Sequence, residues 1–442
     1  MRKWIAILFC KLAHLVGKPM GKGSSLPGKL ALKLCPDILA RLELPAHIVA
    51  VTGSNGKTST VELLARILEE SGKTVAYNRE GSNQIEGVTT FLLCAATLGG
   101  KVKRDVVLLE SDERFARHTF KHFSPTHYVV LNLYRDQLTR NGHPQWMYDI
   151  VQESVKPGVH LILNADDPMV ARYGLHHDGK VTWFGVEGQP DDTAAPQGVY
   201  HDGTYCPECF APMTYDFVHF NHIGSYRCGG CGHHRHSPDY AATDLDLPGQ
   251  AMTVDGQRLY LALPSYYHAY NTLAAFALCR ELGLTAEQIA AAIDGHSLHS
   301  GRVVEFSLGE HRGTLLTSKH ENSISYDQSI RAAVQSGKPC TVLVIVDAVS
   351  RKYFTSETSW LWDIDFDRLD ANCVKEVVLA GRYCHDLATR FAATAIDPAK
   401  VTAMDDIPQA AEHLKQTAQG HLYVITCFSD KDKFLSLVEI DR

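Results

Sequence analysis

The stretch Gly53-Ser54-Asn55-Gly56-Lys57-Thr58-Ser59 combines the residue types that hold a triphosphate. It follows an apolar, β-branched run, His47 to Val51, and precedes Val61 to Leu68, whose apolar spacing is helical. Between a strand and a helix, glycines let backbone N–H groups close around phosphate oxygens, and the helix N-terminus adds a favourable dipole. In such a loop Lys57 reaches the β/γ-phosphates and the Thr58 hydroxyl ligates Mg²⁺. The loop is two residues shorter than the general GxxxxGK[ST] pattern, so a tight turn with a chance Gly-Lys-Thr is the competing reading. A phosphate loop also needs an acidic metal partner at a neighbouring strand end. Glu110, closing the run Val106 to Leu109, is the expected second Mg²⁺ ligand. Asp112 and Glu113 are weaker candidates, with a solvated loop as the alternative.

A second pattern is metal-like. Cys206-Pro-Glu-Cys209 and Cys228-Gly-Gly-Cys231 are two CxxC knuckles. The gap between them is about 18 residues, inside the window of a four-thiolate zinc ribbon. Four thiolates make a closed, structural Zn²⁺ site with no open position for catalysis. A redox pair or an iron–sulfur centre is the alternative. His219, His222, His233, His234 and His236 crowd the same region and read as surface or substrate-facing groups rather than ligands. The other eight cysteines show no framework spacing, which suits reduced thiols in a cytosolic protein. Cys94 and Cys279 sit in apolar helical settings and read as core thiols. No cysteine stands on a glycine-flanked turn with a histidine base.

These residues must be placed by regular elements. Further strand-like runs lie at Tyr128 to Leu133 and His160 to Leu163, with helical segments between, which predicts an α/β fold with a mostly parallel sheet. Asn132 to Leu138, with Asp136, and Asn164-Ala-Asp-Asp167-Pro168 put polar side chains at strand carboxyl ends, where open α/β sheets bind ligands. Either could instead be turn chemistry, with an Asp as helix cap. The stretch from Val186 to Asp246, rich in Gly, Pro, Cys, His and Tyr, reads as an insertion stapled by its own metal. Tyr270 to Leu282 is again helical. A second α/β unit begins near Gly301, with strands at Thr341 to Val346, Val377 to Leu379 and Leu422 to Ile425. The expected division is a lead-in over 1–45, an ATP-binding domain over 46–300 with the ribbon at about 200–240, and a Rossmann-like domain over 301–442.

The 442 residues are 45% hydrophobic and 21% charged, which excludes a disordered chain and leaves ample core material. A formal charge of −7 gives no global pull toward nucleic acid. Met1-Arg2-Lys3 before Trp4 to Cys10 looks like the start of a signal peptide, but the apolar run is short and Lys11 follows directly. Ile5, Leu8, Phe9, Leu12 and Val16 instead mark one face of an amphipathic helix. That face either packs on the main domain or makes a shallow contact with a membrane surface.

Taken together, Thr52 to Thr58, Glu110, Asn132 with Asp136, Asn164 to Pro168, Asn271 and Gly301-Arg302 resemble the ATP-binding central domain of the Mur ligase family. The resemblance implies transfer of the γ-phosphate of ATP to a carboxylate, followed by attack of an amine. It implies nucleotide contacts from Gly53 to Ser59 and from Asn271, with Asn164, Asp167 and Arg302 near the base and ribose. Mur ligases usually carry an N-terminal UDP-sugar domain, for which there is no room before Gly53. The MurT branch shares that absence. It also resembles this chain in Pro27-Gly28-Lys29, Asn78-Arg79 with Gly81 and Asn83, Arg135 to Leu138, the four-cysteine module, Ser359 to Asp363, and Gly381-Arg382 with Asp386 and Arg390. That branch pairs with the glutaminase GatD and amidates the D-glutamate α-carboxylate of lipid II, and for this chain a cytoplasmic location with at most peripheral membrane contact is expected.

Departures fall in the carboxy-terminal part. The family's Asp before a Ser-Trp pair, thought to assist the partner's Cys-His pair, is Glu357 here, which makes Glu357 the third catalytic candidate beside Lys57 and Glu110. Lys319-His320-Glu321-Asn322 stands for Lys-Asn-Pro, His268 for an asparagine, and Thr426-Cys427-Phe428-Ser429 for Thr-Tyr-Thr-Ala. A divergent ligase joining another amine or amino acid to a different carboxylate, without a glutaminase, is the alternative.

Overall fold

The computed structural model describes residues 2–78, 83–137, 141–295, 303–348 and 357–441. They fall into two units: Met1–Tyr134 with Pro144–Gln197 and Asp202–Leu298, and Arg135–His143 with Gly198–His201 and His299–Arg442. Arg302 and Gly301 lie outside the described residues, as do Arg79, Gly81, Leu138 and residues 354–356.

In the first unit, aliphatic and β-branched runs supply strands β1 (His47–Thr52), β2 (Val75–Tyr77), β3 (Val106–Glu110), β4 (His127–Val130), β5 (His160–Asn164) and β6 (Val181–Val186). An antiparallel hairpin of β7 (Met213–Phe220) and β8 (Ile223–Cys228) follows, then β9 (Tyr240–Asp246), β10 (Ala251–Val254) and β11 (Gln257–Tyr260). The main sheet has the order β11-β10-β9-β6-β5-β4-β1-β3-β2. It is parallel from β2 to β9, and β10 and β11 extend it antiparallel. Its central strands are buried on both faces, as their near-continuous apolar sequences require. Ile48, Ala50, Val107, Leu109, Tyr128, Val130, Leu161 and Leu163 point to one face by the two-residue strand period. There they join a core with residues of α1 (Arg2–Gly17), α2 (Leu26–Leu34) and α4 (Ile85–Ala95). α3 (Lys57–Glu70) packs against a later helix, Tyr266–Glu281.

The chain leaves β1 for β2 and β3 on one side and returns to β4, β5 and β6 on the other. The carboxyl end of β1 is therefore a topological switch point, where an open parallel sheet leaves a crevice for a ligand. The phosphate loop starts there.

The helix at the amino end forms as expected, and of the two readings of its apolar face, packing on the main domain is not the one observed. α1 buries Ala6, Ile7 and Cys10, whereas Ile5, Leu8, Phe9, Leu12 and Val16 are exposed. The packed side, Ala6, Ile7 and Cys10, is the one that faces α2 and α4, and apolar spacing alone does not say which of two apolar faces that is.

The second unit has a seven-stranded sheet of β12 (Val303–Leu308), β13 (His311–Ser318), β14 (Cys340–Ile345), β15 (Val374–Ala380), β16 (Val401–Met404), β17 (His421–Cys427) and β18 (Glu439–Ile440). Its order is β16-β15-β14-β17-β13-β12-β18, parallel from β16 to β13. Two cores cover its faces, one around Val342, Val344, Val377 and Trp360, the other around Leu343, Ile345, Val378 and Phe306. The carboxyl ends of β13, β14, β15 and β17 place Lys319, Asp347, Gly381 and Ser429 along one edge.

Candidate functional site

Gly53 and Gly56 take φ of 140° and 89°, a region that favours glycine. Gly56 stands directly before α3, so the loop closes onto the helix N-terminus. Asn132, just past β4, pins the loop: its Oδ1 accepts from Asn55 N at 2.8 Å, its Nδ2 donates to Asn55 O at 3.1 Å, and its own O accepts from Ser54 N at 3.0 Å. The Ser54 hydroxyl exchanges hydrogen bonds with the backbone of Tyr134. Asn271, on the helix Tyr266–Glu281, closes the far side. A Cβ on Gly56 would lie 2.0 Å from Asn271 Oδ1.

That contact gives a direct expectation. Gly56→Ala forces a side chain into a left-handed backbone, at about 1–2 kcal/mol, and drives Asn271 off the loop. The KM for ATP should rise at least about tenfold with a lowered melting temperature. Steady-state kinetics and thermal melting check both.

Lys57 donates to Gly53 O and to Glu113 Oε1, the latter at 2.6 Å. Burial alone would push the Lys57 ammonium down; Glu113, Asp112 and Glu110 raise it, so it stays charged. Thr58 Oγ1 donates to Glu110 Oε2 at 2.9 Å. A hydroxyl and a carboxylate side by side are the hard-oxygen pair that suits Mg²⁺. Three carboxylates around one ammonium would repel a polyphosphate, and a divalent cation between Thr58 and Glu110 reverses that. Glu113 and Asp112 are not in a solvated loop: both are buried, and Asp112 Oδ1 accepts from Arg114 N. The ion pair of Glu113 with Lys57 is the part of the site that sequence reasoning underrated. Its signal was an acid placed just beyond the strand end.

Asn164 and Asp167 are both buried and held within the first unit. Asn164 Nδ2 donates to Leu131 O, and its Oδ1 accepts from Asp166 N. Asp167 caps the helix Pro168–Leu175, accepting from Met169 N and Val170 N, and its other oxygen accepts from Leu133 N at 2.9 Å. These two side chains lock the ends of β4 and β5 together. Asp166, fully buried, accepts from Arg235 Nε at 2.6 Å, Tyr270 OH at 2.6 Å and Val186 N at 2.7 Å. It ties the insertion to the main sheet.

The four cysteine sulfurs lie within 4.8 Å of one another, with Cys206–Cys231 at 3.6 Å and Cys209–Cys228 at 3.4 Å. Tetrahedral zinc–thiolate bonds of about 2.3 Å set sulfurs about 3.8 Å apart, so the set fits Zn²⁺. Glu208 N and Gly230 N donate to Cys206 and Cys228, the N–H···S bonds expected of two knuckles. The Cys231 N–H holds the Cys228 thiol down to about 6. Among the described residues one other donor group exists, Cys384, His385 and Asp405. Two of its three members are exposed, and burial pushes the Cys384 thiol up to about 12.

Three histidines of the insertion depart from the expected surface placement. His219, His222 and His233 are buried, and His234 is exposed. His219 bonds Asp192 and Val186 O, His233 bonds Pro168 O, and His236 stacks on Trp183 at 4.1 Å. His219 and His222 are packing groups of the β7–β8 hairpin, and His233 and His236 pack just beyond it. Cys279 is buried as expected, whereas Cys94 is partly exposed.

In the second unit, Asp136 bonds Lys319 Nζ at 2.5 Å and Asn322 Nδ2 at 3.0 Å, while Gln137 N donates to Glu321 O. Asn322 also caps the helix Ser323–Gln335. His320 bonds Ser429 Oγ at 2.7 Å. Buried Asp430 receives Asp347 N and Ala348 N, fixing the loop after β14. Glu357 is exposed, and hydrogen bonds from the Ser359 side chain and then from Ser359 N, the latter at 2.7 Å, hold its carboxylate below the usual carboxylate range.

The family model described as Mur ligase middle domain matches residues 51–227, and the one described as MurT ligase C-terminal matches residues 320–430. Along its whole length the chain is similar to MurT subunits. It is 28% identical over 444 residues to "Lipid II isoglutaminyl synthase (glutamine-hydrolyzing) subunit MurT" of Streptococcus pneumoniae, covering 99% of this chain and 97% of the relative. It is 29% identical to the Staphylococcus aureus (strain COL) protein of the same description, covering 88% of each. The chain belongs to the MurT branch of the Mur ligase family. It is an ATP-dependent ligase. Solved structures share the fold at low identity. A pseudomurein peptide ligase type C from Methanothermus fervidus has a TM-score of 0.68 at 19% identity, covering 90% of this chain and 79% of that one. MurF ligase from Thermotoga maritima, in complex with ADP, has a TM-score of 0.60 at 17% identity, covering 93% and 83%.

Proposed function

We propose that the chain is the ligase subunit of a glutaminase-paired enzyme that amidates the D-glutamate α-carboxylate of lipid II to D-isoglutamine in the cytoplasm. The observation that carries this reading is the match to MurT subunits over 99% of the chain. ATP with Mg²⁺ supplies the phosphoryl group and the charge that neutralises it. Lys57 sits where the transferring group needs a cation, and Thr58 and Glu110 present the metal-binding oxygens. Gly53 to Ser59 and Asn271 shape the nucleotide loop. Asn164 and Asp167 act by holding the strand ends that frame it, and Arg302 is assigned to the nucleotide by its place in the family motif. The substrate carboxylate oxygen attacks the γ-phosphorus, releasing ADP and forming an acyl phosphate. Ammonia then attacks the acyl carbon, loses a proton, and expels inorganic phosphate. Glu357, exposed and ionised, is assigned to a GatD-like partner, whose Cys-His pair would release the ammonia. The four cysteines are assigned to structural Zn²⁺.

The test uses the purified chain with lipid II, ATP, Mg²⁺ and ammonium chloride, following phosphate release and the product by mass spectrometry. Conversion of one carboxyl to carboxamide, dependent on ammonia, is the expected result. Product formed with a free amino acid, and none with ammonia, would replace this reading with that of a partner-free ligase on another acceptor. His320 in place of the family's asparagine, bonded to Ser429, is the observation that favours that second reading. With a partner present, Glu357→Gln should lower glutamine-driven turnover on the order of tenfold to a hundredfold and leave ammonia-driven turnover intact.

A further inference from the structure

α1 has two apolar faces. The side with Ala6, Ile7 and Cys10 is buried against α2 and α4, and Lys11 Nζ fastens it by donating to Cys94 O at 2.7 Å. The opposite side carries Trp4, Ile5, Leu8, Phe9, Leu12, Leu15 and Val16, all exposed, with Leu15 at 71% and Val16 at 68%. At about 100° per residue these seven fall in one arc of about 140°, centred opposite the buried side. Met20 continues the exposure just beyond the helix. A contiguous stripe of this kind is an interaction surface rather than scattered surface leucines.

The charge around it is one-sided. Residues 2–36 hold Arg2, Lys3, Lys11, Lys18, Lys22, Lys29 and Lys33 and no Asp or Glu, in a chain whose net charge is −7. Arg2, Lys18, Lys22, Lys29 and Lys33 are exposed. Apolar stripe, indole at one end and basic flanks are the features of a helix that lies in a bilayer interface, its rings and aliphatic chains among the acyl chains and its ammonium groups at the headgroups. Among the described residues no helix is long and apolar enough to cross a membrane. A second copy of this chain would bring two basic rims together.

We propose that the exposed face of α1 docks the protein on an anionic phospholipid surface. The helix lies in the membrane plane, held on the protein by its small-residue side. This goes beyond the ligase reading and does not depend on the acceptor.

The experiment is sedimentation of the full chain with vesicles of phosphatidylcholine alone or enriched in phosphatidylglycerol. Binding should grow with phosphatidylglycerol and fall as salt screens the basic flanks. The variant Leu12→Glu/Leu15→Glu/Val16→Glu should partition at least about tenfold more weakly, with unchanged melting temperature and ATP turnover. Lys18→Glu/Lys22→Glu should weaken binding to the anionic vesicles only. The proposal is overturned if the wild-type chain fails to bind anionic vesicles at low salt, or if the triple variant binds as well as wild type. It is also overturned if the wild-type chain is a dimer that does not bind lipid and that the triple variant makes monomeric.

Discussion

Lys57→Ala should lower ATP turnover by at least about a thousandfold, to the background of the assay. The argument is electrostatic. The Lys57 ammonium is nearly enclosed, at 11% exposure, and is held between Gly53 O and Glu113. In that setting a fixed charge acts through little water, so its loss is felt at close to full strength. Removal also leaves Glu113 buried without its partner, beside Asp112 and Glu110, which turns the loop into a repulsive site for phosphate. The variant should therefore lose nucleotide affinity as well as turnover. Its melting temperature should fall by an amount that Lys57→Ala/Glu113→Gln largely restores, because the double change removes both charges of the pair. Restored stability without restored turnover separates the chemical role of Lys57 from its structural one. Phosphate release and thermal melting on the two variants decide it, and wild-type turnover in Lys57→Ala would remove Lys57 from the reaction.

Much of this site was legible because its chemistry demands short local patterns. Gly53 and Gly56 announce a backbone that other residues resist, and Lys57 and Thr58 follow at fixed offsets. Glu110 ends an aliphatic run that could hardly be anything but a buried strand. The two CxxC knuckles are equally local. What was harder to read depends on packing between distant segments. Whether Glu113 is solvated or buried turns on how β3 lies beside β1, and nothing near residue 113 states that. His219, His222 and His233 read as surface or substrate-facing groups because a histidine's surroundings are set by its tertiary neighbours, here Asp192, Tyr134 and Pro168. Asp167 carries both readings, ligand and cap, and the structure shows the cap, with its other oxygen accepting from Leu133 N. α1 shows the limit of periodicity: the apolar spacing marks a real face, and spacing alone does not decide whether that face packs or stays exposed. In the second unit, Lys319 and Asn322 stand 183 and 186 residues from Asp136 in sequence and meet around its carboxylate. No local pattern records such a meeting.

The second large effect is expected at the cysteines. Cys228→Ser should remove bound zinc, from about one per chain to none, and should reduce ATP affinity several-fold although the sulfurs lie outside the phosphate loop. The hairpin β7–β8 has little core of its own: Cys206, Met213, Tyr226 and Cys228 pack with Ala171 in a small cluster. A two-stranded hairpin of that kind is marginal without a staple. Four thiolates closed on Zn²⁺ would provide it, since structural zinc sites couple metal binding directly to folding. Loosening would then travel by contacts within the first unit. Gly224 N bonds Asp166 O, and Asp166 gathers Arg235 and Tyr270. Phe220 and His222, at the hairpin's tip, pack on the Tyr134 ring, and Tyr134 N is the donor that fixes the Ser54 hydroxyl in the phosphate loop. Metal analysis, melting and the KM for ATP should therefore move together in Cys228→Ser, and in wild-type protein treated with a chelator. If zinc is lost while melting and KM hold, the hairpin stands on its aromatic contacts alone and the metal is no staple. If no zinc is present in the wild-type chain, the sulfurs at 3.4–3.6 Å serve as a packed thiol cluster instead. The linkage from hairpin to loop would still be tested by Tyr134→Ala, which cuts the same path at its other end.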